Sequence, residues 1–242
     1  MLRVHELLSI YFEVVSILKL GKRLQRIEAM VAPEYAHIWD CCCDHGLLGA
    51  SLLARQAAPT IHFVDTVPKL MDELEAKLQR FFPDVPAQYQ THCRDVTTLP
   101  LWQYVGRQLV IIAGVGGQAM AGMVASLHRQ CRTTAIDFLL CPVRDQFALR
   151  QQLIRLDFGL IDEVLLEENR RFYEILWVSS GGDPQRPRVS AVGESFWQTD
   201  CVEQAKVAAD YLSKTLDHYR RMQRGRGAEV GIVIEAYRGV RT

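Results

Sequence analysis

The chain has 242 residues, of which 49% are hydrophobic and 23% charged, and this composition is typical of a soluble globular protein. Its 28 basic and 28 acidic residues cancel, which excludes a strong overall attraction to polyanions and leaves only local basic patches for nucleic acid. The seven cysteines are odd in number and follow no secretory signal, which argues against a disulfide framework. They include no C-x2–4-C knuckle, so we predict small packing residues and no metal site.

The first apolar segment is LLSIYFEVVSILKL, residues 7–20. Glu13 interrupts it, no small-residue cleavage site follows, and it is too short to span a bilayer. We therefore expect no membrane contact, a cytoplasmic location, and an amphipathic helix that packs on a core or on a second copy of the chain. Its apolar stripe consists of Leu7, Tyr11, Val14 and Leu18.

From residue 20 to residue 180, short apolar segments alternate with longer amphipathic ones, which predicts a parallel sheet with crossover helices. The last part, 159–180, predicts two strands joined by a turn at Glu168 to Arg170. A doubly wound, Rossmann-like α/β sheet that ends in such a hairpin indicates a class I methyltransferase more than a plain dinucleotide-binding domain. The predicted helices are 21–31, 47–56, 69–82, 118–130 and 146–158, and the strands are 37–42, 60–65, 87–95, the strand-to-turn unit 108–117, and 136–143.

The composition changes after Gly181, where GGDPQRPR forms a Gly/Pro linker. Residues 195–227 predict one long amphipathic helix, and 228–237 fit either a final strand or a short second helix. We therefore expect a first domain at 1–182, and a linker with a C-terminal helical extension at 183–242. The long helix ends in a basic tail of Arg220, Arg221, Arg224 and Arg226.

Several acids and glycines follow the predicted strands, at the edge where ligands bind to an open parallel sheet. Asp65 ends the second strand and suits a ribose diol, although an acid there also fits a helix cap. Asp95 with Val96 is a candidate adenine clamp, or an ordinary loop acid. The other members of this set are Asp40, Asp44 and Gly46 after the first strand, and Gly114, Gly116 and Gly117 after the fourth.

The pair Asp44 and His45 is the sharpest candidate for chemistry. His45, on a loop beside two acids, fits a residue that orients a substrate or acts as a base, or a hydrogen-bonded structural histidine. The AGVGG segment lets the backbone approach a ligand closely because glycine has no Cβ, and it fits a cofactor, a substrate base or a tight turn.

Five segments, taken together and in order, resemble a known family over about residues 20–178. They are KRLQRIEAMV, WDCCCDHGLLGASLL, VIIAGVGG, LLCP and LRQQLIRLDFGLIDEVLLEENRRFYEIL. The chain resembles the bacterial tRNA adenine-22 N1-methyltransferases, class I S-adenosylmethionine-dependent enzymes with an N-terminal catalytic domain and C-terminal helices. The family's D-I-G-S-D-H-A motif corresponds to DCCCDHG, so Cys42 stands where the family has glycine, and the tail predicts one helix where the family has a pair.

The resemblance implies S-adenosylmethionine as cofactor and tRNA as partner. It places Asp40, Asp44, His45 and Gly46 around the methionine end and the substrate pocket, with Cys42 in the cofactor loop. It assigns Asp65 to the ribose and Asp95 with Val96 to the adenine, and Gly114, Gly116 and Gly117 to the floor where the target base enters. Asp44 would stabilise the positive charge that develops on the methylated base. The basic residues that would grip tRNA are Lys22, Arg23 and Arg26 in one patch, and Arg220, Arg221, Arg224 and Arg226 in a second.

Three alternatives remain at this point. A methyltransferase acting on another RNA site or on a small molecule would keep the same cofactor. A non-catalytic descendant would have lost cofactor binding through Cys42 and would use its long helix for assembly. A nucleotide-binding oxidoreductase is disfavoured, because its glycine fingerprint belongs after the first strand and the G-x-G-G cluster follows the fourth.

Overall fold

A computed structural model describes residues 20–83, 88–131, 134–223 and 227–240. The helices are α1 (Lys22–Met30), α2 (Leu47–Ala54), α3 (Pro68–Phe81), α4 (Gly117–Gln130), α5 (Gln146–Arg155), α6 (Val202–Gln223) and α7 (Gly227–Arg238). Two short 3-10 helices, Val96–Thr98 and Leu101–Gln103, follow the third strand. The strands are β1 (His37–Cys41), β2 (Thr60–Asp65), β3 (Tyr89–Cys93), β4 (Gln108–Ala113), β5 (Asp137–Cys141), β6 (Gly159–Glu168) and β7 (Arg171–Ser179).

The strands form one sheet in the order β3-β2-β1-β4-β5-β7-β6. Strands β1 to β5 are parallel, and β7 runs antiparallel to both β5 and β6. The predicted doubly wound sheet that ends in a strand hairpin is therefore confirmed. Because Asp40 of β1 lies level with Phe63 of β2 and Ile111 of β4, the carboxyl ends of these three strands meet at one edge.

Alternate strand residues face opposite sides of the sheet, and a separate apolar core covers each side. Ile38 and Leu109 belong to the core under α1, α2 and α3, whereas Trp39 and Val110 belong to the core under α4 and α5. Both faces of β1 and β4 are buried, as the nearly continuous apolar runs of a central parallel strand require.

Three histidines connect the neighbouring strands β1, β2 and β3. His62 of β2 contacts His37 of β1 through ring nitrogens 3.0 Å apart, and it contacts His92 of β3 at the same distance. The ring of Trp39 stacks on His62 with ring centroids 3.7 Å apart. Burial lowers the pKa of His62 to about 3, so the imidazole is neutral in this row. The row ties together the strands that end near Asp40 and Asp65.

The C-terminal part differs from the prediction in two ways. The long helix begins at Val202 and not at residue 195, because residues 195–201 form turns that bury Phe196 and Trp197 against β6. Residues 227–238 form a helix, so the alternative of a short second helix is confirmed and that of a final strand is excluded; the expectation of one helix in place of the family's pair was wrong. Tyr211 of α6 and Tyr237 of α7 share one apolar cluster.

The proposed N-terminal helix with Leu7, Tyr11, Val14 and Leu18, and the tail residues Arg224 and Arg226, lie outside the described residues. Within the described ranges, every helix is too short or too polar to pass through a lipid bilayer.

A buried ion cluster joins the C-terminal part to the sheet. Arg150 of α5 is fully buried; its Nη2 lies 2.7 Å from Oε2 of Glu163 on β6, and its Nε lies 2.6 Å from Oε2 of Glu174 on β7. The other oxygen of Glu174 accepts a hydrogen bond from the hydroxyl of Tyr211 on α6. The other oxygen of Glu163 accepts the backbone amides of residues 194 and 195, at 2.6 and 3.0 Å. These contacts supply hydrogen-bond donors to both carboxylates, whose ionised form burial would otherwise destabilise.

We expect the Arg150→Met variant to lose about 3–5 kcal/mol of unfolding free energy, because it leaves two buried carboxylates without their cation. Arg155→Met on the same helix is the matched control, since Arg155 is exposed and bonds only Gln152 within the described chain; its effect should stay within about 0.5 kcal/mol. Urea unfolding measures both variants. Equal, small effects would show that the cluster contributes little to stability.

Candidate active site

The loop after β1 turns through a series of left-handed residues. Cys42, Asp44 and Gly46 have φ angles of 57°, 50° and 68°. A non-glycine residue in this region is strained, and the strain costs about 1–2 kcal/mol. Cys42 therefore has a backbone conformation that glycine adopts more readily.

Asp40 lies at the end of β1 beneath this loop, and its side chain is almost fully buried. Its Oδ2 accepts the backbone amide of Gly49, in α2, at 2.8 Å. Burial raises the pKa of Asp40 to about 7; the Gly49 amide opposes the rise, and the nearby charge of Asp65 adds to it. Near neutral pH, Asp40 is thus a buried carboxyl balanced between its acid and its ionised form.

Asp65 lies at the tip of β2, and its two oxygens have different surroundings. Oδ1 accepts the backbone amides of Thr66 and Val67 at 2.7 and 3.2 Å, at the start of α3. Oδ2 accepts the amide of Asp44 at 3.1 Å. Since each carboxylate oxygen accepts about two hydrogen bonds, Oδ1 is occupied and Oδ2 retains room for one further donor. Asp65 therefore both holds the loop in place and keeps an acceptor for a ligand hydroxyl.

Asp95 follows β3 and caps the first 3-10 helix. Its Oδ1 accepts both the amide and the hydroxyl of Thr97 at 2.7 Å, and these bonds hold the pKa of Asp95 below its usual range. Both hydrogen bonds that the carboxylate of Asp95 accepts from described residues use Oδ1, so Oδ2 stays available. Val96 is buried in the apolar core. Burial raises the pKa of Cys42 to about 11, and the charges of Asp65, Asp40 and Asp95 add to the rise.

The glycines after β4 serve distinct purposes. Gly114 has a φ of 90°, a conformation that L side chains rarely adopt. A Cβ on Gly117 would lie 2.2 Å from the backbone oxygen of Asp145, so this glycine lets α4 pack against the loop after β5. A Cβ on Gly116 would lie 3.0 Å from Nε of Arg144. Gly116 and Gly117 thus shape the β4 turn without lining the cleft beside it.

A cleft of about 430 Å³ opens between the β1 loop, the β4 turn and α1. Six of the predicted site residues line it: Arg23, Asp40, Cys42, Asp44, His45 and Gly114. The side chains of Asp44 and His45 are 67% and 54% exposed, and Nε2 of His45 lies 3.6 Å from Oδ1 of Asp44. The structure therefore brings the β1 loop, the β4 turn and one basic residue to a common cavity, with Asp65 attached to the loop through the Asp44 amide.

The other basic residues lie elsewhere. Lys22 and Arg26 line a second groove of about 460 Å³ between α1, β6 and the segment that leads into α6. Arg220 and Arg221 are exposed on the last turn of α6, where Nη1 of Arg220 lies 3.2 Å from Oδ1 of Asp217. The predicted first basic patch of Lys22, Arg23 and Arg26 is thus divided. Arg23 faces the cleft, whereas Lys22 and Arg26 face the second groove.

The sequence reasoning missed two residues that build this site. A Cβ on Gly49 would lie 2.3 Å from the ring of Phe63 and 2.9 Å from Oδ2 of Asp40, so only glycine lets α2 approach the strands. Its signal was the spacing G-L-L-G, in which the later glycine serves close helix–strand packing. The second is Tyr173 of β7, whose ring lies under the guanidinium of Arg23 at 5.2 Å; no sequence signal marks this contact.

A family model described as a methyltransferase domain matches residues 20–176. The chain belongs to this methyltransferase family. The match covers the whole sheet up to β7 and every residue that lines the cleft. No curated protein sequence matches the chain.

Solved structures share the fold of this methyltransferase at low sequence identity. The B. subtilis m1A22 tRNA methyltransferase TrmK is 18% identical with a TM-score of 0.68, over 91% of this chain and 98% of that one. The M. capricolum TrmK, solved with S-adenosyl-homocysteine, is 15% identical with a TM-score of 0.67, over 90% and 96%. Streptococcus pneumoniae Sp1610, solved with S-adenosyl-L-methionine, is 20% identical with a TM-score of 0.70, over 90% and 98%. The predicted class I methyltransferase fold with C-terminal helices is confirmed.

We expect Gly117→Ala to destabilise the methyltransferase domain by about 1–3 kcal/mol, because the added methyl group collides with the Asp145 backbone. Gly122→Ala, in the same helix, is the control: its Cβ meets nothing within 4 Å, so it should stabilise the protein by about 0.5–1 kcal/mol. Thermal unfolding of the two variants reports the difference. A stabilising Gly117→Ala would contradict the packing role.

Proposed function

We propose that the protein is an S-adenosylmethionine-dependent methyltransferase that methylates N1 of an adenine in tRNA. The observation that carries this proposal is the cleft, in which the β1 loop, Asp40 and the β4 turn of a methyltransferase domain converge. The B. subtilis m1A22 tRNA methyltransferase TrmK, which shares the fold over 91% of the chain, supports the choice of substrate.

The residues that line the cleft, and the acids at the carboxyl ends of β2 and β3, fit this cofactor. Oδ2 of Asp65 has room for a ribose hydroxyl, and Oδ2 of Asp95 is available for the exocyclic amine of adenine. Asp40, once ionised, suits the ammonium of the methionine end. Gly114, which has a positive φ and no Cβ, lets the backbone of the β4 turn line the cleft closely. When bound, S-adenosylmethionine supplies an electrophilic methyl group on a sulfonium.

The chemistry asks for alignment more than for a base, because N1 of adenine bears a lone pair and no proton. Methylation makes the base cationic, so the carboxylate of Asp44 at the cleft would stabilise the charge as it develops. His45 then has an orienting role beside Asp44. Because N1 lies on the pairing edge of adenine, the base must leave its stack or its pair to enter the cleft.

We further propose that residues 1–182 form the catalytic domain and that residues 183–242 form a linker with helices that help to hold tRNA. The contacts to tRNA would come from Arg220 and Arg221 on α6 and from Lys22 and Arg26 on α1 of the catalytic domain. The helices are anchored to the sheet by the Arg150 cluster and by a hydrogen bond of 2.7 Å from the Leu160 amide to the Pro187 oxygen. A tRNA substrate implies a cytoplasmic location. A homodimer through a terminal helix stays a prediction; α6 already buries Ala208 against α7 within the chain.

Cofactor binding should depend on the ionisation of Asp40. Because burial raises its pKa to about 7, Asp40 is mostly protonated at pH 5.5 and mostly ionised at pH 7.5. The affinity for S-adenosylhomocysteine, whose ammonium would bind the ionised form, should therefore rise several-fold across this range, and Asp40→Asn should lower the affinity at pH 7.5 by about 10-fold and remove the pH dependence. Calorimetric titration at both values measures this.

Two controls accompany that titration. Asp72→Asn, an exposed change on α3, should bind as the wild type does. Because the pKa of Asp40 is higher in the folded protein than in the unfolded chain, the free energy of unfolding falls as pH rises from about 4 to 7. Asp40→Asn removes this loss, so at pH 7.5 the variant should unfold at the same temperature as the wild type or at a higher one. A pH-independent wild type would remove Asp40 from the ammonium site.

The direct test is methyl transfer from labelled S-adenosylmethionine to unmodified tRNA transcripts, with the product mapped by mass spectrometry. We expect 1-methyladenine in a transcript with adenine at position 22, the position in the names of the similar enzymes, and none when guanine replaces it. Arg220→Gln with Arg221→Gln should raise KM for tRNA several-fold and leave cofactor binding unchanged, because these residues would contact phosphates. Methylation elsewhere would indicate another RNA site. Cofactor binding without transfer to RNA would favour a small molecule or a non-catalytic role.

A further inference from the structure

Arg23 differs from its basic neighbours on α1 because it faces the cleft. It lines the cavity together with Asp40 and Gly114, whereas Lys22 and Arg26 line the groove toward α6. Its guanidinium carbon lies 5.2 Å from the centre of the Tyr173 ring, and Nη1 lies 4.0 Å from the position that a Cβ on Gly114 would occupy. The guanidinium is thus held between the ends of β4 and β7.

The contacts that the described residues give this half-buried guanidinium are weak ones, the ring of Tyr173 and the side chain of Cys141. Nη1 of Arg23 is buried and has no hydrogen-bond partner among the described residues. No carboxylate of the described chain lies within salt-bridge distance of Arg23, although Asp40 and Asp44 line the same cavity. Arg150, the fully buried arginine, has two carboxylates and a backbone oxygen. A buried donor without an acceptor is costly, so the position of Arg23 is explained best by an acceptor that arrives with a ligand.

The charged residues of the cleft limit which chemical group of a ligand can be the hydrogen-bond acceptor for Arg23. A cation close to N1 of adenine would oppose the positive charge that methylation creates there, so Arg23 does not serve the reacting edge of the base. A planar guanidinium fixed on an aromatic ring presents paired donors that match the two oxygens of a carboxylate or a phosphate.

We propose that Arg23 is the anion-binding residue of the cleft and that it holds a ligand oxyanion by paired N–H donors. Two ligands carry that chemistry: the amino-acid carboxylate of the cofactor and the phosphate next to the target adenosine. The proposal rests on the proposed function for the identity of these ligands. The cavity is then divided, with Arg23 on one wall for the anionic group and Asp40 and Asp44 on the other for cationic groups.

The test compares ligands that differ by one anionic group. Wild type, Arg23→Gln and Arg23→Lys are titrated calorimetrically with S-adenosylhomocysteine and with 5′-methylthioadenosine, which lacks the amino-acid part. Binding of unmodified tRNA to each protein is measured at several salt concentrations. Arg129→Gln, an exposed change on the last turn of α4, is the control and should alter neither measurement. Thermal unfolding establishes that each variant is folded.

If Arg23 holds the cofactor carboxylate, Arg23→Gln weakens S-adenosylhomocysteine about 10-fold or more, leaves methylthioadenosine unchanged, and Arg23→Lys restores part of the affinity. If it holds the phosphate, both adenosine ligands bind unchanged, while tRNA binds more weakly and the slope of log affinity against log salt falls by about one. Unchanged binding of all three ligands, or an equal loss for both adenosine ligands, overturns the proposal. A wild type that binds neither adenosine ligand refutes the proposed function instead, which separates the two failures.

Discussion

The parallel alignment of β1 with β2 and β4 is the constraint from which the rest of this site follows. It sets Asp40 level with Phe63 and Ile111, so that the three strands end together and their following loops share one edge. Each strand end then contributes what its sequence provides: a left-handed turn after β1, the carboxylate of the last residue of β2, and a glycine turn after β4. The buried faces of these strands leave little freedom of register, because a shift of one residue would exchange the residues of the two cores.

The cleft keeps polar groups buried that a purely structural domain would avoid. Asp40 is held without a cation under a helix that only Gly49 allows to approach, and this burial raises its pKa to about 7. Cys42 occupies a left-handed conformation, and Arg23 holds a buried donor without an acceptor. These features cost stability, and they occur together at one cavity, as expected where a site is organised for a ligand. The contrast with the Arg150 cluster is informative, since there two carboxylates, backbone amides and a tyrosine hydroxyl satisfy the buried charges.

That cluster also explains why the C-terminal helices have a fixed position on the sheet. One arginine binds a carboxylate from each arm of the hairpin; one carboxylate then receives the amides of the segment before α6 and the other a hydroxyl of α6. The strand hairpin of the methyltransferase fold is therefore the platform for the helices that we propose to hold tRNA. The groove between this platform and α1 carries Lys22 and Arg26, so a nucleic acid bound there would lie beside the cleft.

The sequence by itself determined the order of strands and helices, the closing hairpin, and the placement of Asp40, Asp65 and Gly114 at strand ends. It did so because apolar periodicity is a property of short segments and does not depend on distant contacts. Once that periodicity indicates parallel strands, the rule that ligands bind at their carboxyl ends points to the residues at those ends. It failed where a segment's conformation depends on its partner, since residues 195–201 are drawn into turns by the burial of Phe196 and Trp197. For residues 227–238 it left a strand and a short helix open, and the packing against α6 decided for the helix. Only the tertiary structure turned Arg23 inward onto Tyr173, put Gly49 against Asp40, and brought Arg23 to the same cleft as Asp40 and Asp44. Those contacts join residues far apart in the chain, and their energies arise from burial and charge that exist only once the sheet has formed.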